Sequence, residues 1–256
     1  MIRSTTALTV GLVLVTSVAF SQQQPDAGQN QRAAKVSDEV VGQLTASKVN
    51  AARNKLEATS GDLGSTPEYR TALGYLQALE GEYQAAIDTL RSAAKDAPAD
   101  PVPEYLRGEV LRIQGKYSDG TPAWKAARGR AQKALKDNPG DPRAAFWLAA
   151  SQIRLEQYDA ALSSLDLAAE GGYPADQVNY QRGTAYLMKK DFEEAVDAFD
   201  RVEQIDRRFA HLYFYRALAW NQLGKKDKML IDMDQFLKLA PNAPEADQAR
   251  AFLSAY

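Results

Sequence analysis

One offset recurs through the chain and limits what it can fold into. Gly81-Glu-Tyr83, Gly115-Lys-Tyr117, Glu156-Gln-Tyr158, Lys190-Asp-Phe192 and Gly224-Lys-Lys226 align as equivalent tripeptides, their third residues 34, 41, 34 and 34 positions apart. Three places further on stand Ala86, Ala161, Ala195 and Met229, while in the second unit the matching alanine, Ala127, comes seven residues late. Prolines or their equivalents close the units at Pro98, Pro139, Tyr173, Arg207 and Pro241. One insertion of seven residues between Tyr117 and Ala127 accounts for every irregularity. A period of this length marks stacked units, each burying its apolar face on the next.

Each unit reads as two helices joined by a tight turn. In the second, Tyr105 to Leu111 is the first helix and Gly115 punctuates the turn. Thr121-Pro122 has the form of an N-cap followed by proline at the first helical position, so the second helix of this unit is expected to start there. Small residues at the eighth position (Gly74, Gly108, Ala149, Gly183, Ala217) let the paired helices approach closely. The pattern resembles the tetratricopeptide repeat: Leu73-Gly74, Tyr83, Ala86 and Pro98 match its consensus directly. The resemblance covers residues 67 to 243, about 70% of the chain, as units 67–100, 101–141, 142–175, 176–209 and 210–243. It implies an all-α, right-handed superhelical solenoid of five helix pairs. The fifth unit departs most, with Lys226, Met229 and Phe236 at positions where the family has an aromatic and two small residues.

Outside the repeats, Met1-Ile-Arg3, the apolar run Ala7 to Val15, and Ala19 and Ser21 before Gln22 have the layout of a cleavable signal peptide over residues 1–21. The run is too short for a spanning helix, which needs roughly 20 apolar residues. With no cysteine near the cut a lipid anchor is excluded, so the mature chain is expected in the periplasm or secreted, without a membrane anchor. Residues 22–36 read as a flexible leader, because Gln22 to Gln31 has no large apolar residue. Val40, Val41, Leu44, Val49, Ala52 and Leu56 follow helical spacing and predict one helix from Ser37 to about Thr59, within an N-terminal segment 37–66 that ends in a loop. That helix is expected to cover one end of the stack. An amphipathic segment at 244–256, with Ala246, Ala249, Phe252 and Leu253, is expected to cover the other.

The chemistry a chain like this can carry is narrow. With no cysteine and one histidine, His211, it lacks thiolate metal sites, thiol nucleophiles and any pair of imidazoles. No phosphate-binding glycine loop occurs, and no nucleophile, base and oxyanion site assemble. The densest carboxylates, Asp191, Glu193, Glu194, Asp197 and Asp200, alternate with the apolar stripe of one helix and read as its solvated face. Lys125, Arg128, Arg130, Lys133 and Lys136 form a basic strip, but 31 basic against 33 acidic residues and the export signal argue against nucleic acid. No catalytic residue, metal or cofactor is expected.

In the resembled family, positions two, five, nine, twelve and thirteen of each unit's first helix line the concave surface. Position five here reads Thr71, Tyr105, Phe146, Tyr180 and Phe214, with Tyr75, Glu109, Arg112, Arg154, Thr184 and Asn221 around it. The resemblance therefore implies a groove lined by Tyr75, Tyr105, Glu109, Arg112, Phe146, Arg154, Tyr180, Thr184, Phe214 and Asn221. The same rings can instead pack against the neighbouring unit, and both readings stay open at this stage. No lysine stands at these positions, unlike the family's clamps for C-terminal carboxylates. The function expected is a non-catalytic scaffold of the cell envelope that holds a protein or peptide segment. The alternatives are a structural, self-associating module and a carboxylate-dependent hydrolase.

Overall fold

A computed structural model describes residues 27–255. The signal-peptide reading lies outside them, as does the first part of the leader. The chain opens with α1 (Ala27–Thr45) and α2 (Val49–Leu63). Five antiparallel pairs follow: α3 (Pro67–Leu79) with α4 (Tyr83–Asp96), α5 (Val102–Ile113) with α6 (Tyr117–Asp137), α7 (Pro142–Arg154) with α8 (Tyr158–Glu170), α9 (Ala175–Lys189) with α10 (Phe192–Ile205), and α11 (Ala210–Gln222) with α12 (Lys226–Leu239). A last helix, α13 (Ala246–Ser254), ends the described chain, and no strand occurs among the described residues. The fold is an all-α solenoid.

Local chemistry explains the repeating geometry. Every pair turns through one left-handed residue at the same place in its unit: Gly81, Gly115 and Gly224, and the non-glycine residues Glu156 (φ 60°) and Lys190 (φ 73°). Left-handed backbone costs an L-residue about 1–2 kcal/mol, so glycine suits this position. At the seam between paired helices, a Cβ on Gly74 would lie 2.7 Å from Leu90, one on Gly108 2.3 Å from Trp124, and one on Gly183 2.6 Å from Phe199. In all three pairs the partner comes sixteen residues after the glycine.

That constant spacing corrects the position of the insertion. Trp124 occupies the same place as Leu90 and Phe199, so the repeat register runs unshifted through the first half of α6. The small residue at position twenty is the buried Gly120, not Ala127, and Ala127 lies further along the same buried face. The helix begins at Tyr117 rather than Thr121, and its 21 residues compare with 14 in α4 and α10. The extra residues therefore extend its C-terminal half, where Gln132, Lys133 and Lys136 face solvent. Pro122 lies inside the helix, and the carbonyl it leaves unpaired belongs to the exposed Ser118, where water can satisfy it.

The N-terminal segment also departs from expectation. The single helix predicted from Ser37 is two, broken at Ala46-Ser47-Lys48, where Ser47 takes φ 61°. Helix begins ten residues before Ser37, inside the stretch read as flexible, and Ala33 and Val36 are buried there. The second half of the expected helix, α2, packs on α3, the first helix of the repeats, as an end cap does, but α1 does not cap an end. It packs beside α3 and continues past the N-terminal turns of α7, α9 and α11, forming a strap on the concave side of the stack. At the far end α13 packs on α12 through Ala246 and Ala249, with Phe252 and Leu253 half-buried.

Candidate functional site: a cavity beneath the N-terminal strap

The strap is fastened along its length. Val40, Val41 and Leu44 turn their side chains into the core and are at most 2% exposed. The Arg143 side chain donates to both oxygens of Asp38 at 2.9 and 2.7 Å and reaches Asp100 at 3.1 and 3.3 Å, so one guanidinium ties α1 to the loop before α5. At the C-terminal end of the strap the amide of Ala210 donates to the carbonyl of Ala46 at 3.2 Å. His211 Nδ1 lies 2.9 Å from the carbonyl of Thr45 and 3.0 Å from Ser47 Oγ, and Lys48 pairs with Asp206. Burial raises the Asp38 carboxyl above its ordinary range, and Arg143 opposes that rise.

Beneath the strap lies a cavity of about 660 Å³. Its floor comes from the first helices of the repeats: Tyr75 on α3, Tyr105, Glu109 and Arg112 on α5, Phe146 and Arg154 on α7, and Tyr180 on α9. These are seven of the ten residues read from the sequence as groove-lining. The other three lie elsewhere. Phe214 is 2% exposed and packs on Phe236, with ring centres 5.1 Å apart. Thr184 donates to the carbonyl of Tyr180 at 3.0 Å within α9. Asn221 sits in the last turn of α11, away from the cavity.

The position-five rings do not form a row facing solvent. Tyr105, Phe146, Tyr180 and Phe214 are 2–8% exposed. Phe146 stacks on Tyr173 at 4.2 Å, Tyr105 tilts against Trp147 at 5.2 Å, and Tyr180 meets Phe209 at 4.8 Å. Each ring thus packs on a later segment of the chain, and three of them keep an edge at the cavity.

Two arginines converge on one carboxylate in the cavity wall. Arg154 donates to both oxygens of Glu109 at 2.7 and 2.8 Å, and Arg112 Nε donates to Glu109 Oε2 at 3.0 Å. Burial works to raise the Glu109 carboxyl, but the charges of Arg154 and Arg112 outweigh it and hold the group below its usual range. Burial pushes the hydroxyls of Tyr75, Tyr105 and Tyr180 well up, so they remain protonated donors. Glu245, beside the start of α13, also reaches the cavity and lies 3.2 Å from His211 Nε2. Its burial is overcome by that hydrogen bond and by the charges of His211 and Arg112, which hold it down at about 2.

Trp147, Tyr173, His211, Tyr215 and Glu245 line the cavity and were not read as site residues. Trp147 and Tyr215 stand at position six of their units, one place after the position-five rings, and the aromatic runs Phe146-Trp147 and Tyr213-Phe-Tyr215 are the only sequence trace of them. Glu245 stands 34 residues after His211, one repeat on, so stacking of neighbours brings the two together, and both fall at position two of the register. Among the described residues no group of three or more His, Asp or Glu side chains could hold a metal ion, and no helix is long and apolar enough to cross a membrane.

The repeat geometry agrees with the known proteins this chain resembles. A family model described as tetratricopeptide repeat matches residues 38–101, 105–177 and 151–207. The chain belongs to the tetratricopeptide repeat family. Anaphase-promoting complex subunit 3 of Schizosaccharomyces pombe is 23% identical over 177 residues, 69% of this chain but 26% of that protein, so the chain spans about a quarter of this relative's length. Among solved structures, a thermophilic tetratricopeptide repeat protein of Thermus thermophilus, TTC0263, superposes with a TM-score of 0.57 at 17% identity, covering 74% of this chain and 98% of that one. A chain of the APC/C hetero-tetramer Cut9-Hcn1 gives 0.53 at 17% identity, over 87% of this chain and 42% of that one. At these identities the likeness is one of fold. Tetratricopeptide repeat proteins are generally non-catalytic interaction scaffolds, and that is the level at which the family describes this chain.

Proposed function

We propose that this protein is a non-catalytic interaction scaffold, exported to the cell envelope, whose concave side recognises a segment of a partner protein. The observation that carries the reading is the strap. An amphipathic helix already rests on the concave side, buried through Val40, Val41 and Leu44 and fixed by Arg143 at one point and the start of α11 at another. A surface able to bind one such helix offers a partner the same combination of apolar contact and charged register, and charge of this kind sets specificity more than raw affinity. The aromatic floor lies under α1, so a partner segment reaches Tyr105, Phe146 and Tyr180 only as α1 moves aside. Export rests on the layout of residues 1–21.

A thiol cross-link tests this reading, and the absence of native cysteine makes it clean. A Cβ built on Gly42 lies 3.5 Å from the end of the Gln177 side chain, so Gly42→Cys with Gln177→Cys puts one thiol on the strap and one on α9, within reach of a short bis-thiol-reactive linker. The cross-linked double variant should fail to capture a partner from the native envelope fraction that the unlinked variant and the parent capture. Equal capture in both states would place the partner on another surface. Intact mass of protein from the native host should give a mature N-terminus at or near Gln22, and retention of Met1 to Phe20 would contradict export. Sedimentation over a concentration series separates the scaffold from the self-associating module, since the scaffold reading expects a monomer.

A further inference from the structure

We infer that the cavity beneath the strap is a binding site for a small organic anion with a planar or branched apolar body, independent of any protein partner. Its volume of about 660 Å³ falls in the range of ligand sites, roughly 300–1,000 Å³. Its lining combines aromatic faces with a few convergent polar groups, as such sites require.

The polar groups select the charge. Arg112 and Arg154 share the single carboxylate of Glu109, which leaves one positive charge uncompensated within that trio. Only the Nε of Arg112 is used on Glu109, and among the described residues its two Nη groups donate to no side chain or carbonyl. A guanidinium presents its donors as a flat fork suited to carboxylate, sulfonate or phosphate oxygens. Tyr75, Tyr180 and Tyr215 line the same space, and their hydroxyls make no hydrogen bond among the described residues. The competing acid, Glu245, lies 3.2 Å from His211 Nε2 and also interacts with the charge of Arg112, so an incoming anion must outcompete it for that guanidinium. Rings at Tyr105, Phe146 and Trp147 supply flat apolar walls for the body of the ligand.

A second observation comes from the strap. Gly42 lies in the interior of α1, where glycine costs about 0.5–1 kcal/mol relative to alanine. Helix packing does not demand it: an added Cβ would meet only the end of the Gln177 side chain, at 3.5 Å. The glycines of the seam are different, since a Cβ there collides with Leu90, Trp124 or Phe199. Residue 42 lines the cavity, so a bulky side chain there would take up space at the site. Exposed Lys35, Glu39, Gly172 and Pro174 also line the cavity, placing a route to solvent between α1 and the α8–α9 turn.

Two fluorescent probes with nearly the same aromatic body test the inference on the intact mature protein. 1-Anilinonaphthalene-8-sulfonate carries the anionic head and N-phenyl-1-naphthylamine lacks it. The site should bind the sulfonate with one-to-one stoichiometry, raise the melting temperature, and bind the neutral probe at least tenfold more weakly. Arg112→Gln should reduce sulfonate affinity about tenfold and leave the neutral probe unchanged. Gly42→Leu fills the cavity without a seam clash, so it should abolish binding of both probes while the unliganded protein melts no lower than the parent. Equal affinity for the two probes, several weak sites with no rise in melting temperature, or unchanged binding to the Gly42→Leu variant would each overturn it. Should Arg112→Gln fold poorly, the Gly42→Leu variant still decides whether the cavity is the site.

Discussion

The two terminal helices that flank the repeats share an amphipathic pattern and have different fates. The nine residues of α13 pack on the helix immediately before them and cover the end of the stack. The nineteen residues of α1 ignore the nearest end and cross to partners far along the chain, Asp38 to Arg143 and Thr45 to His211. In a solenoid each repeat touches only its neighbours, so stability is close to a sum over adjacent units. The helix α13 belongs to that one-dimensional order. By contrast, α1 breaks it, joining the first, third, fourth and fifth units through one rod and turning an open groove into a roofed cavity.

Substitutions can break this contrast, and the largest effect is expected in the seam itself. Gly108→Val drives a branched side chain into the fully buried Trp124, whose indole stands 2.3 Å from the point a Cβ would occupy. Overpacking commonly costs 1–3 kcal/mol and more where nothing can give, so a loss above about 3 kcal/mol is expected in denaturant unfolding. Leu44→Ala removes a fully buried side chain from the strap and should cost about 3 kcal/mol. If α1 rests loosely, the loss will stay below about 1 kcal/mol, as for a surface change.

Removing residues 244–256 should cost about 2 kcal/mol by exposing Leu230, Met233 and Phe236, with some aggregation. Unchanged melting and solubility would mean that α13 does not dock. The deletion also removes Glu245, the partner of His211 Nε2, so it should loosen the strap only at its C-terminal end and leave the Asp38–Arg143 tie in place, whereas Leu44→Ala should loosen α1 without uncovering α12. The smallest change is a gain. Lys190→Gly relieves a left-handed residue in the α9–α10 turn and should raise stability by about 1 kcal/mol. The same substitution at an ordinary exposed helical site, such as Lys133, should lower it by a similar amount.

How far the sequence could be read follows the same division. The 34-residue offset placed the five helix pairs from α3 to α12 because their partners are neighbours in the chain. It misplaced the insertion for a helical reason. Seven residues make almost two full turns at 3.6 residues per turn, so Gly120 and Ala127 lie on one buried face and a count of small residues cannot order them. Apolar spacing likewise ran unbroken from Val40 through Leu56, whereas the chain closes α1 with a local left-handed turn at Ser47, where Lys48 N donates to Gln43 O, and tertiary bonds to Ala210, His211 and Asp206 hold that turn in place. Positions five, nine, twelve and thirteen brought Tyr75, Tyr105, Glu109, Arg112, Phe146, Arg154 and Tyr180 to one cavity. Its other wall is α1, whose docking across distant units no local pattern encodes, whereas His211 and Glu245 stand one repeat apart at position two and are placed by neighbour stacking.

Hydrogen exchange on the intact protein tests the role of α1 most directly. If α1 is a docked strap, the amides of residues 33–45 should be protected to the same order as those of α3 and α7, and Leu44→Ala should lower that protection while α9 to α12 keep theirs. Exchange of residues 33–45 at the rate of an unstructured peptide, beside fully protected repeats, would contradict the strap and leave the concave face open.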